Sequence, residues 1–279
     1  MATPSVIDFE ALVAPIPGDS PCGADLRKDF NPLSPYRVIK DARNQARRVE
    51  IKLSRDEGSN EKPDWGPVLN ETPKVLQTLS KDLELASYLV EGLVREYGFA
   101  GLRDGFALCR RLVEEYWDSL YPPLQTDEED EDELPQRVAA LAGLNGIDGD
   151  GTLIGPIKAV SLVDPQNSPP IGMARYEQAV ALSSRDAEER EKLIAQGMIT
   201  LEAFEQGVAA STLQFYQTLA EDLRGAVDEF EKLGAAIESR CPVNQCPPTS
   251  NIRDALRACL ARVESLLASK GGGPAPASE

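Results

Sequence analysis

The chain has 279 residues, 42% of them hydrophobic, which suffices for one large core or two modest ones. Its 46 acidic against 29 basic side chains leave a net charge of -17, which repels phosphate backbones and anionic membrane surfaces and argues against nucleic acid as a partner. No run approaches the roughly 20 consecutive apolar residues of a membrane span, and the N-terminus MATPSVIDFEALVAP has neither a basic n-region nor an apolar h-region, so the chain reads as cytoplasmic with no membrane insertion.

Val6 to Val13 predicts a short helix, and the proline- and glycine-rich Pro15 to Gly23 an irregular segment laid over the domain. Tyr36 to Lys52 predicts a helix with Tyr36, Ile39, Ala42 and Ala46 inward and Arg43, Arg47, Arg48 and Lys52 outward. That basic face stands out in so acidic a chain and is the candidate partner-contact surface. It either meets an acidic partner or pairs with the chain's own carboxylates. Ser54 to Pro63 predicts a mobile loop. Asp64 then caps a helix to about Leu79 with Trp65, Val68, Leu69, Leu76 and Leu79 apolar; Pro67 is tolerated in the first turn, whereas Pro73 is expected to kink or split the helix.

The stretch from Ser80 to Pro123 is the most strongly patterned. Leu83, Ala86, Val90, Leu93, Val94 and Tyr97 recur at three- and four-residue steps and so fall on one helical face, which Gly98 terminates. Leu102, Phe106, Cys109, Val113, Tyr116, Trp117 and Leu120 form a second stripe, ended by Pro122 and Pro123. The pair predicts a tight helical hairpin connected through Phe99, Ala100 and Gly101. Trp65, Tyr116 and Trp117 read as core residues that lock these helices, with interface anchors as the alternative.

Seven contiguous acids between Thr126 and Leu134 predict a solvated, loosely held linker. Asp148 to Leu153 resembles the middle of a calcium loop, but alignment on Gly151 puts Gly146 and Ile157 where the first and last oxygen donors belong, so a turn is the better reading. Leu153 to Val163 predicts a short strand or extended strap, weakened by Pro156. Ser183 or Ser184 caps a helix through Ile194 that Gly197 ends, and Thr200 begins another through about Val208. Tyr216, Leu219, Leu223, Ala226, Phe230, Leu233 and Ile237 then form a long stripe, answered after CPVNQCPPTS by Ile252, Leu256, Cys259, Val263 and Leu266. These predict an antiparallel hairpin over 212–267, with Thr249 or Ser250 capping its second helix, and a flexible tail over 269–279. The seam can also serve partner helices. The fold class is therefore all-α, a multi-helix antiparallel architecture.

Chemistry is sparse in this pattern. The chain has no histidine, which removes imidazole triads, histidine-bound metals and the usual near-neutral proton shuttle. No phosphate-binding, dinucleotide or nucleophile-elbow motif occurs, and five cysteines, two of them on apolar stripes, fit neither a disulfide scaffold nor a closed zinc site. No catalytic, cofactor-binding or metal residue is assigned, and no cofactor is expected.

The wording of the central hairpin, KDLELASYLVEGL, GFAGLRDGF and EEYWDSLYPP, resembles the ImpA-type N-terminal domain of the TssA family, assembly proteins of the bacterial type VI secretion system. Pro21 to Leu26, Asp64-Trp65 and the run from Ile194 to Leu219 fit the same resemblance, which spans about Pro15 to Leu267. A departure is Tyr121, where family members often carry histidine. The resemblance implies an ImpA-type domain over 1–150, a second helical region over 151–268, and self-association through a C-terminal oligomerising domain absent from this chain. It further implies a non-enzymatic scaffold that contacts baseplate and tail tube or sheath proteins. The rival readings are a helical adaptor or chaperone for a basic or helical client and, more distantly, a carboxylate-based hydrolase, which would need a pocket holding a carboxylate of raised pKa.

Overall fold

The longest helical run, α4 (Leu83–Tyr116), doubles back on itself at Gly98, whose φ of 57° and ψ of -134° belong to a backbone region open to glycine alone. The computed structural model describes residues 1–55, 61–124, 134–242 and 245–271. Before α4 come α1 (Phe9–Val13), α2 (Pro35–Ser54) and α3 (Gly66–Thr78). After it come α5 (Gln136–Asn145), α6 (Ile154–Ala159), α7 (Met173–Ser183), α8 (Ala187–Ala195), α9 (Leu201–Ala210), α10 (Leu213–Glu238) and α11 (Ser250–Ser269). Among the described residues the only sheet-like pairings are isolated bridges, so the fold is all-α as the periodicity predicts.

The predicted hairpin is present, with a shorter connection than predicted. Phe99, Ala100 and Gly101 already form the first turn of the second arm, so Gly98 makes the reversal alone. Close packing of the arms depends on two further glycines: a Cβ on Gly101 would lie 2.1 Å from the Leu93 carbonyl oxygen, and one on Gly105 2.9 Å from Val90 Cγ2. At the open end the Leu83 N–H donates to the Tyr121 carbonyl at 2.7 Å, and the Tyr121 N–H to that of Lys81 at 3.0 Å. Lys81 itself is buried and donates to the Leu12 and Leu76 carbonyls at 2.6 and 2.7 Å, tying α1 and α3 to the hairpin. Arg137 of α5 secures the segment that follows the second arm by donating to the carbonyls of Trp117, Leu120 and Pro122, which lie beyond the end of the helix and have no intrahelical donor.

The first arm is buried at each position from Leu85 to Val94, Ser87 and Glu91 included, which puts it in the middle of the fold. On one side Tyr36, Ile39 and Ala46 of α2 and Trp65, Val68 and Val75 beside or within α3 pack against Leu85 and Tyr88. On the other, α10 and α11 complete a continuous core in which Phe106 meets Phe230 at 5.0 Å between ring centroids. Trp65, Tyr116 and Trp117 are buried, which favours the core reading over the anchor reading. The α10–α11 hairpin is antiparallel, since Arg253 pairs with Glu231 and Arg224 with Glu264. Its seam is filled within the chain.

Several predicted elements shift, each for a local reason. The first helix starts only at Phe9, because the Asp8 carboxylate accepts from the Ala11 N–H while Val6 donates to Asp104. Helix α3 runs unbroken through Pro73, and Leu79 is 42% exposed beyond its end. Where a strand or strap is predicted over 153–163, α6 forms instead. Pro156 is its third residue, where the missing N–H would have had no intrahelical acceptor, and extended pairing is confined to the Ser161–Gly172 bridge. Asp186, and neither Ser183 nor Ser184, caps α8; those two serines instead donate back to carbonyls of α7. Neither Thr249 nor Ser250 caps α11 with its side chain, and Asn145 of α5 accepts from the Ile252 N–H in their place. Thr200 caps α9 as predicted. Helix α5 is absent from the sequence reading. Residues 56–60 of the predicted loop, 126–133 of the acidic run and 272–279 of the tail lie outside the described residues.

Candidate functional site

Helix α2 and the first arm of α4 run side by side in the same direction, since Lys40, Arg43 and Glu50 pair in order with Glu84, Glu91 and Arg95. This pairing revises the basic face predicted for α2. Arg43 points inward: its guanidinium grips the fully buried Glu91 carboxylate at 2.6 and 2.9 Å, covers the Tyr88 ring at 4.7 Å and is 14% exposed. Thr152 also donates to Glu91. The cause is the burial of the first arm on all sides, because a carboxylate there needs a cation from its neighbour. Arg47 is half-buried, and burial together with the adjacent Arg43 pushes its guanidinium below the ordinary range. Arg48 and Lys52 remain exposed. Among the described residues none of Arg47, Arg48 and Lys52 forms an ion pair.

Two turns before Glu91 on the same arm, Glu84 gathers Arg27, Lys40 and the hydroxyls of Tyr36 and Tyr88. Burial alone would raise the Glu84 carboxyl, but the Tyr88 hydroxyl and the Arg27 guanidinium outweigh it and hold the group below its ordinary value. Its contribution to stability is therefore complete above the unfolded-state pKa and is lost as pH falls through the lower folded-state value. Tyr88→Phe removes a donor to the carboxylate and raises that folded value. The acid-unfolding midpoint of the variant, followed by far-ultraviolet circular dichroism, should move to higher pH; an unmoved midpoint would show that Glu84 does not govern it.

Where α2 and the first arm end together, they frame a groove of about 870 Å³ with α6 and the first turns of α10. Ile51, Tyr97, Phe99, Val160, Phe215 and Leu219 give it an apolar lining. Ile51 and Tyr97 are 43% and 46% exposed, so Tyr97 leaves the buried stripe predicted for it. The walls are braced by charge. Glu50 accepts from Arg95 at 2.6 and 2.7 Å and from Trp65 Nε1 at 2.8 Å, while Asp222 accepts from Arg103 at 2.8 Å and from the Thr3 N–H at 2.9 Å. No sequence periodicity announces this groove, because its lining comes from segments far apart in the chain. Among the described residues no group of three or more cysteine, aspartate or glutamate side chains is placed to hold a metal ion, and Cys22, Cys109, Cys241, Cys246 and Cys259 are free thiols.

Residues 13–146 match the family model described as ImpA, N-terminal, type VI secretion system. Type VI secretion system component TssA1 of Pseudomonas aeruginosa is 34% identical over 139 residues, which cover 50% of this chain and 38% of that relative. An N-terminal domain of the TssA component from Burkholderia cenocepacia, including the conserved ImpA N-terminal region, superposes with a TM-score of 0.77 at 25% identity, covering 98% of this chain and 99% of the other. The chain belongs to the TssA family of the type VI secretion system. Within this TssA-family chain the ImpA-type region supplies α2, the hairpin and therefore one wall of the groove, and the structural likeness extends over α6 and α10, which supply the other. No described helix is long and apolar enough to cross a membrane.

Proposed function

We propose that the chain is a non-enzymatic scaffold that holds baseplate and tail tube or sheath components in position while the secretion machine is assembled in the cytoplasm. The observation that carries this reading is the contrast between committed charge and open apolar surface. Arg27, Arg43, Arg95 and Arg103 are spent on Asp82, Glu84, Glu91, Glu50, Asp104 and Asp222 inside the fold, whereas Ile51 and Tyr97 stand half-exposed beside a groove. Charge used this way fixes helix positions, and an apolar surface left open is suited to binding another protein. Arg47, Arg48 and Lys52 lie on the same helix as Ile51 but do not line the groove, and they offer a separate basic strip to an acidic partner surface.

Affinity capture of the tagged chain from bacteria that assemble the machine, with the captured proteins identified by mass spectrometry, tests the proposal. Baseplate and tail proteins should be enriched together. Recovery of one unrelated client alone would favour an adaptor or chaperone.

A further inference from the structure

We infer that the groove between α2, the Gly98 bend, α6 and α10 receives a short basic amphipathic segment of a partner protein, with apolar side chains in the groove and a lysine or arginine reaching Glu96. This rests on the scaffold reading and adds the chemistry of the partner to it.

The lining selects for apolar contact along most of its length and for positive charge at its mouth. It carries three carboxylates, Glu50, Glu96 and Asp222, against the single guanidinium of Arg95. Glu50 is neutralised by Arg95 and Asp222 by Arg103, which leaves Glu96 exposed with no ion pair among the described residues. The C-terminal turns of α2, of the first arm of α4 and of α6 all contribute to the lining, and the carbonyl ends of helices favour cations. The opposing N-terminal end of α10 is closed by its own Thr212, whose hydroxyl accepts from the Phe215 N–H at 3.1 Å. Over longer range, a net charge of -17 draws a basic partner in and repels a second copy of the chain. A cavity of about 870 Å³ has room for several side chains. Its walls are already braced by the Glu50–Arg95–Trp65 and Asp222–Arg103–Thr3 contacts, so binding need not order them.

The test measures binding of the purified chain to each purified baseplate and tail component by biolayer interferometry. At least one component should bind the wild type, and the double variant Ile51→Glu/Tyr97→Glu should weaken it about tenfold or more, as loss of a central apolar anchor does. Glu96→Lys should weaken binding less and flatten its dependence on salt. Both residues of the double variant are more than 40% exposed, so its thermal melt should match the wild type and exclude unfolding as the cause. A component that binds wild type and variants alike would overturn the groove assignment and leave the scaffold reading standing. Failure of every component to bind the wild type would overturn both. Concentration-dependent self-association of the wild type, abolished in the double variant, would assign the groove to a second copy and overturn the basic-segment reading.

Discussion

Gly101→Ala should cost about 3 kcal/mol of unfolding free energy, at the upper end of what overpacking a tight core usually costs. The added methyl group would sit 2.1 Å from the Leu93 carbonyl oxygen, a backbone atom that cannot move aside without splaying the two arms of α4. Gly98→Ala should cost about 1–3 kcal/mol for a different reason, the strain of a side chain at φ 57° and ψ -134°. Gly143→Ala in α5 is the control. A Cβ there meets nothing within 4 Å, so the substitution should be neutral or stabilise the helix by up to about 1 kcal/mol. Urea titration with an unchanged slope measures all three. If Gly101→Ala fell within about 0.5 kcal/mol of wild type, as surface substitutions do, the close approach of the arms would be wrong. Because the same bend lines the groove proposed to receive a partner, splaying the arms should also impair binding there.

Glu91→Ala and Arg43→Ala should each destabilise the chain by about 3–5 kcal/mol, since each leaves an uncompensated charge in the core. Glu91 is wholly buried, and Arg43 holds it through two hydrogen bonds. Replacing both together with apolar residues of similar volume should recover much of the loss, because the desolvation of the pair then disappears with it. Arg48→Ala, on the same helix but exposed, should change stability by less than about 0.5 kcal/mol. Chemical denaturation of the four variants separates an inward Arg43 from an outward one. Equal, small effects at Arg43 and Arg48 would restore the uniformly basic outer face. For the same reason, tests of partner contact belong at Arg48 and Lys52, where lost binding cannot be confused with lost folding.

Apolar spacing made most of the helical layout legible. The stripes from Leu83 to Leu120 and from Tyr216 to Leu266 describe surfaces that must be buried, and α4, α10 and α11 form where they predict. The family resemblance was carried by the wording of the same central hairpin. Less was readable where the deciding contact lies far along the chain. Asn145 caps α11 across 107 residues, and Glu91 draws Arg43 inward across 48. Helix α6 was hidden by its β-branched and proline content, which local preference reads as extended although the first turn of a helix tolerates it. The groove was invisible for the most basic reason. Ile51, Tyr97, Val160 and Phe215 come from four separate segments, and only the packed fold brings them to one place.

Site-specific photo-crosslinking from position 97 in bacteria assembling the secretion machine tests the central claim most directly. With a photoreactive side chain in place of Tyr97, illumination should yield an adduct with a baseplate or tail component, joined through a segment rich in apolar and basic residues. Adducts confined to proteins outside the machine, or to an acidic segment, would contradict it.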